Sequence, residues 1–207
     1  MTLLVNGLEL RGEGSILDTL LAAGIDLPHL CKDDNLAAIG ACRTCLVEAD
    51  GRVVAACATP AANVTSVETE SGRAKRLRRG VLQLTLAMQT GSTTPEPGGP
   101  LAASLFETAT REGVSETPFR PASGQAEDES NPFFTFQEAA CILCGRCVSA
   151  CQSLQHISAI GLAGRGAQIV VTPGAGDSFR ESVCTSCGSC VAACPTTALR
   201  PKSGGPS

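Results

Sequence analysis

Twelve cysteines are the residues of this 207-residue chain best suited to do chemistry, and every one falls into a set of four. Toward the C-terminus stand Cys141, Cys144, Cys147 and Cys151, then Cys184, Cys187, Cys190 and Cys194. Each set is a C-x2-C-x2-C-x3-C run, and the second is followed by Pro195. Toward the N-terminus stand Cys31, Cys42, Cys45 and Cys57. Such runs are thiolate cages for iron–sulfur clusters, so the expected chemistry is one-electron transfer. Two other uses of cysteine fit less well. Disulfides belong to exported proteins, and the opening MTLLVNGLEL has neither a basic n-region nor a long apolar stretch. Zinc usually takes two C-x2-C pairs, and a run of four close cysteines overfills its tetrahedral site.

The C-terminal runs imply a local structure. Three cysteines two residues apart can curl one loop around three corners of a cubane. The fourth starts a helix that leaves the loop, and in two-cluster ferredoxins it ligates the other cluster. One [4Fe–4S] cluster is therefore expected on Cys141, Cys144, Cys147 and Cys194, the other on Cys184, Cys187, Cys190 and Cys151. Gly145 and Gly188 hold the same place in each run, where a side chain would crowd the cluster. The first run has Gln152 in place of the trailing proline, which is not a ligand. Arg146 lies between Cys144 and Cys147, and Ser189 is its counterpart. A cation there favours the reduced cluster, so the cluster of the first run is expected at the higher potential. The stretch GLAGRG, 161–166, has the wrong order for a dinucleotide fingerprint and reads as a turn between two strands.

The N-terminal quartet has ten residues before its C-x2-C and eleven after, so its spacing alone leaves zinc open beside [2Fe–2S]. The surrounding elements are readable. LLVNGLEL is a hairpin turning at Asn6-Gly7. Ser15 caps a short helix through Leu21, stopped by Gly24. TCLVEADGRVVAAC is a second hairpin with Asp50-Gly51 at its tip, and Thr65–Val67 a last short strand. Two hairpins around one helix suit a small β-grasp domain.

Three stretches carry a family resemblance: GIDLPHLC with GACRTCLVEADG and ACATP; DESNPFFTFQEAACILCGRCVSAC; and AIGLAGRG with CTSCGSCVAACPTTAL. The chain resembles the N-terminal part of the large iron–sulfur subunit of respiratory complex I. It is similar also to the diaphorase-side small subunit of NAD-reducing [NiFe] hydrogenases and to the N-terminal region of NAD-dependent formate dehydrogenases. The resemblance implies [2Fe–2S] ligands Cys31, Cys42, Cys45 and Cys57. It implies an α+β architecture: a β-grasp [2Fe–2S] domain over 1–70, a helical connector with a degenerate cluster site over 71–137, and a ferredoxin-like 2×[4Fe–4S] domain over 138–207. The family usually adds a cluster held by one His and three Cys after the connector's first helix. Here that place reads QTGSTTPEPGGPLAAS, and no His or Cys lies between Cys57 and Cys141. SLFETATREGVSETPF still resembles the helix that follows.

The rest of the chain bounds the function. A net charge of −4 argues against nucleic acid, no apolar stretch is long enough to span a membrane, and free cysteines fit a reducing cytoplasm. A helix from about Arg73 to Met88 presents Ala74, Leu77, Val81, Leu84 and Met88 as a core-facing stripe. Arg73, Lys75, Arg76, Arg78 and Arg79 read as a solvated face. Residues 89–100 and 120–132 read as linkers, and the tail PKSGGPS as disordered. His29, within reach of the first cluster, reads as tuning its potential by hydrogen bonding or as a plain loop residue, and His156 as structural. No catalytic domain, dinucleotide fingerprint or P-loop is evident, so flavin, nicotinamide and substrate are expected on other chains. The expected role is a cytoplasmic, non-catalytic relay between a flavin- and NAD(P)H-handling subunit and a separate catalytic subunit of formate dehydrogenase or [NiFe] hydrogenase type. The alternative is a free-standing multi-cluster ferredoxin that shuttles between enzymes. A single relay requires residues 101–137 to pack against both cluster domains.

Overall fold

The computed structural model describes residues 2–89, 102–120, 127–174, 176 and 178–202. The N-terminal unit begins with β1 (Thr2–Val5) and β2 (Leu8–Arg11), paired antiparallel through a turn in which Asn6 and Gly7 both have positive φ. A two-residue turn of that hand matches the twist of the strands, and Asn-Gly tolerates it. Helix α1 (Ile16–Ala22) starts at a capping box: the Asp18 N–H donates to Ser15 Oγ at 3.1 Å, and the Ser15 N–H donates to Asp18 Oδ2 at 2.9 Å. β3 (Leu46–Ala49) and β4 (Arg52–Ala55) form the second hairpin, and β5 (Ser66–Glu68) completes a mixed sheet of order β2-β1-β5-β3-β4. β1 and β5 run parallel; the other neighbours are antiparallel. Leu3, Val5, Val47 and Val67 bury against Ile16, Leu17 and Leu20 of α1. Each such side chain contributes about 1.5–3 kcal/mol on leaving water.

Helix α2 (Gly72–Met88) follows, capped by Ser71, and α3 (Ala102–Arg111) packs against it. The expected core stripe of α2 holds at Ala74 and Val81 but not at Leu77 and Leu84. Leu77 and Leu84 are 45% and 50% exposed, whereas Arg78 is 1% exposed. The buried set is Ala74, Arg78, Leu82, Thr85 and Ala87. A charge so deep needs partners, and it has them. Arg78 Nη1 donates to the carbonyls of Leu46 (3.0 Å) and Thr69 (2.7 Å), and Nε donates to Glu112 at 3.1 Å. Arg78 is therefore a strut between the sheet, α2 and the end of α3, not part of a solvated face.

The C-terminal unit comprises β6 (Glu127–Asp128), β7 (Phe134–Gln137), α4 (Arg146–Ser153), β8 (Gly161–Ala163), β9 (Val170–Thr172), α5 (Ser189–Ala193) and β10 (Leu199–Pro201). One sheet has the order β10-β7-β6, and β8 pairs with β9 across the turn expected at GLAGRG. Phe134 and Phe136 meet Phe179 edge-on, with ring centroids 5.2 and 6.1 Å apart. Helices α4 and α5 pack directly against each other.

Two expected irregular segments are partly ordered. Residues 127–132 are not linker: β6 pairs with β7, and Asn131 is buried. Strand β10 takes in Pro201, and Lys202 donates its N–H to the Phe133 carbonyl at 2.8 Å, so the tail is structured through 202. The linker expected over 89–100 lies, from residue 90 on, outside the described residues, as do 121–126 and 203–207. Among the described residues no helix is long and apolar enough to cross a membrane.

Candidate metal centres

The N-terminal cysteines come from three places in the sheet unit. Cys31 follows α1 in a loop, Cys42 and Cys45 lead into β3, and Cys57 sits in a short turn after β4. Antiparallel pairing of β3 and β4 brings the last two together, with the Ala56 N–H donating to the Cys45 carbonyl at 3.0 Å. The Cys31 N–H donates to Cys42 Sγ at 3.3 Å, and the Cys42 N–H to Cys31 Sγ at 3.5 Å. Cys57 exchanges sulfur contacts with both Cys31 and Cys45. All four are therefore mutual neighbours, with Cys31, Cys45 and Cys57 buried. His29 Nδ1 lies 2.7 Å from the Leu27 carbonyl.

The two C-terminal runs share one backbone design. Leu143 and Ser186, each just before the second cysteine, have φ of 52° and 56°; Gly145 and Gly188 both have φ of 78°. The Leu143 N–H donates to Cys141 Sγ, and the Ser186 N–H to Cys184 Sγ, each at 3.4 Å. A side chain at position 188 would meet no protein atom within 4 Å, so the left-handed backbone, not a lack of room within the protein, calls for glycine there. At Gly145 a Cβ would approach the Ile39 side chain at 3.8 Å.

Each run is completed by the other. Cys141, Cys144, Cys147 and Cys194 line one pocket. Cys184, Cys187, Cys190 and Cys151 line a second. Two pockets, each with four thiols, suit two occupants of one kind. The crossing follows from the packing of α4 on α5, which carries the last cysteine of each run past its own loop. Among the described residues no three His, Cys, Asp or Glu converge as a site for a single metal ion; the thiols surround cavities instead.

Several of the buried thiols are poor anions by themselves. Burial pushes Cys141 up to about 11, and Cys144 and Cys190 up to about 12. Burial also lifts Cys147 well above the ordinary thiol range. Contact with Cys31, then burial, raises Cys42. At Cys57 the contact with Cys31 pulls down, but Cys45 and burial outweigh it and leave the thiol at about 11. A hydrogen bond from Cys57 lowers Cys45 against its burial. Exposed Cys187 is lowered, its slight burial outweighed by bonds from Ser189 and Thr185. A buried quartet of thiols becomes a stable set of thiolates only around cationic metal, and four sulfur donors per pocket are what an iron–sulfur cluster requires. The residues present therefore fit such groups.

Several contributors carry no motif. Asn131 donates to Ser186 Oγ at 2.9 Å and lies 3.9 Å from Cys184 Sγ. The Ala159 N–H donates to Cys151 Sγ at 3.2 Å. Arg146 is buried and paired with Asp33 of the N-terminal unit, so the cation expected beside the first run is not bare. Leu30, Cys31, Leu82, Leu105, Ile142 and Cys144 share one apolar cluster, which joins the N-terminal site to the first run.

Known proteins carry the same two parts. A family described as 2Fe-2S iron-sulfur cluster binding domain matches residues 1–72, and one described as 4Fe-4S dicluster domain matches 140–198. In the crystal structure of an H2-reduced NAD+-reducing [NiFe]-hydrogenase, one chain superposes with a TM-score of 0.84 at 30% identity, covering 99% of this chain and 88% of that one. The chain belongs to the complex-I-like family of iron–sulfur electron-transfer subunits. Other relatives share less of their length with it. The formate dehydrogenase-like YrhE of Bacillus subtilis (strain 168) is 33% identical over 157 residues, 73% of this chain and 16% of YrhE. A subunit of the NADH-quinone oxidoreductase of Rickettsia typhi is 30% identical over 176 residues, 82% of this chain and 26% of that protein. The chain thus spans between a sixth and about a quarter of these two relatives. This chain's own architecture is a mixed sheet with helices in an N-terminal 2Fe–2S domain, followed by a 4Fe–4S dicluster domain.

Proposed function

We propose that this chain relays electrons between a flavin- and NAD(P)H-handling subunit and a separate catalytic subunit, of formate dehydrogenase or [NiFe] hydrogenase type, in a cytoplasmic oxidoreductase complex. In this reading a β-grasp domain over 1–70 holds one [2Fe–2S] cluster through Cys31, Cys42, Cys45 and Cys57. A helical connector spans 71–137. A ferredoxin-like domain over 138–207 holds one [4Fe–4S] cluster through Cys141, Cys144, Cys147 and Cys194, and another through Cys151, Cys184, Cys187 and Cys190. When bound, such clusters supply reversible one-electron transfer. The protein's own groups bury the sulfurs, donate N–H bonds to them from Leu143, Ala159 and Ser186, and keep the sites on one packed body.

The observation that carries the reading is the exchange of Cys151 and Cys194 between two otherwise matching pockets, next to an apolar wall shared by Cys31 and Cys144. The relatives' names support the partner classes, because a [NiFe]-hydrogenase and an NADH-quinone oxidoreductase are assemblies of redox subunits. The test is anaerobic purification from the native host. About ten iron atoms and as many labile sulfides per chain are expected, from one two-iron and two four-iron groups. The chain should co-elute with a flavoprotein. Stoichiometric zinc would refute the cluster assignment, and elution of a fully loaded chain by itself would favour a free shuttle.

A further inference from the structure

Arg146 joins the two halves of the molecule between two sets of metal-binding cysteines. It opens α4 between Cys144 and Cys147 and is 5% exposed. Its Nη2 pairs with Asp33, two residues beyond Cys31. Its Nη1 donates to the Leu30 carbonyl, one residue before Cys31, at 3.4 Å. Its Nε is buried without a partner among the described residues. The surroundings are apolar: Leu30, Cys31, Ile142 and Cys144 form one cluster, Ile39 lies over Gly145, and Leu36 packs on Ala150 and Ala193.

An ion pair is an inefficient way to stabilise such a seam. Desolvating two charges offsets most of their attraction, and apolar residues of similar volume commonly do as well or better. What a pair adds is register, since it is satisfied in one alignment only, and a local charge balance. Here it registers the loop of Cys31 on the helix of Cys147. We propose that Arg146 and Asp33 are positioning residues that fix the N-terminal site against the first C-terminal site and keep the space between them electrically neutral. This rests on the reading above that both sites hold clusters.

The charge balance has a signed consequence. Reduction adds negative charge to a cluster, so a lone carboxylate nearby opposes it and a lone guanidinium favours it. Arg146→Gln leaves Asp33 unpaired and should lower the potentials of both neighbouring clusters. Asp33→Asn leaves Arg146 unpaired and should raise them. The double variant should return close to the original potentials while losing the alignment. Arg146→Lys keeps the cation but loses the guanidinium fork, so it should hold the potentials and loosen the alignment.

The experiment uses the full chain, purified and kept under anaerobic conditions. EPR-monitored redox titration reads the potentials. Pulsed dipolar EPR between the reduced [2Fe–2S] cluster and the reduced cubane of the first run reads the separation. Opposed shifts in the single variants, cancellation in the double variant, and a broadened distance distribution in the double and Arg146→Lys variants are expected. Shifts of one sign, no shifts, or a distribution as narrow as the parent's overturns the proposal. Absence of [2Fe–2S] or [4Fe–4S] signals in the unsubstituted chain overturns the underlying assignment, and the proposal with it.

Discussion

Replacing Arg78 by methionine tests how far the buried strut supports the N-terminal site. The substitution keeps most of the aliphatic volume and removes the charge and its bonds. Glu112, whose side chain is only 13% exposed, then keeps a carboxylate without its partner. The Leu46 and Thr69 carbonyls lose donors at 3.0 and 2.7 Å. Breaking a buried pair by removing one member costs about 3–5 kcal/mol, and an orphaned buried acceptor about 1–3 kcal/mol. Water reaching one of the two carbonyls reduces the second contribution, so the net loss is about 5 kcal/mol. For a chain of this length about 2–4 °C is lost per kcal/mol, so the unfolding midpoint should fall by roughly 10–20 °C. Leu46 is the neighbour of Cys45, so the visible absorbance of the N-terminal cluster should disappear before that of the cubanes on heating. Adding Glu112→Gln removes the stranded charge and should recover about 2–3 kcal/mol. The assay is anaerobic unfolding of the loaded protein followed by far-ultraviolet circular dichroism and visible absorbance together. A loss under about 1 kcal/mol, or no recovery in the double variant, would refute the reading of Arg78 as a strut.

Crossed replacements test the exchange of cysteines. Cys151→Ser should damage the cluster of Cys184, Cys187 and Cys190, and Cys194→Ser that of Cys141, Cys144 and Cys147, read by EPR of each variant; damage confined to the substituted run would show uncrossed ligation. Asp50 gives a pH dependence. Its carboxylate accepts bonds from the hydroxyl and N–H of Thr65 and of Ser66, which hold it down at about 2 against an ordinary 3.8. A depressed carboxylate stabilises the fold above its unfolded value, and that contribution disappears as pH falls from about 4 toward 2. Denaturant titrations should show this acid-side loss in the parent and a flatter profile in Asp50→Asn; an equal slope in both would place the loss at other carboxylates.

Short-range chemistry was the legible part of this sequence. Asn6-Gly7 and Asp50-Gly51 specify turns by their tolerance of positive φ, and Ser15 specifies a helix start, so the elements of the sheet unit could be read locally. The C-terminal runs were legible for the same reason, because a repeated spacing encodes a repeated loop. Helix α2 shows where such reading fails. Its periodicity allowed two faces, one with Leu77 and Leu84 and one with Arg78 and Leu82. The choice between them was made by Glu112, the Leu46 carbonyl and α3, all distant in sequence. Residues 127–132 looked like linker because Glu, Asp, Ser and Asn are polar. Their polar groups are instead spent on Ser186 and on the Phe179 N–H, which Asp128 accepts at 2.8 Å. Arg146 was visible as a cation between two cysteines, but its carboxylate partner lies 113 positions away and has no motif.

Helices α2 and α3 tie the N-terminal cysteines to the first C-terminal run. Leu82 of α2, with Leu105 and Ala109 of α3 and Val114 beyond it, completes the apolar cluster that contains both Cys31 and Cys144. Gln89 at the end of α2 donates to the Ala140 carbonyl, one residue before Cys141, at 2.8 Å, and Arg111 at the end of α3 pairs with Asp26, five residues before Cys31. The connector is thus bonded close to the first cysteine of each of the two sites and fills the space between them. A tether of the same length would leave their separation to diffusion, with closure made less favourable by the entropy of the loop. Packing removes that variable. The described part of the connector therefore packs the two sets of thiols against one another.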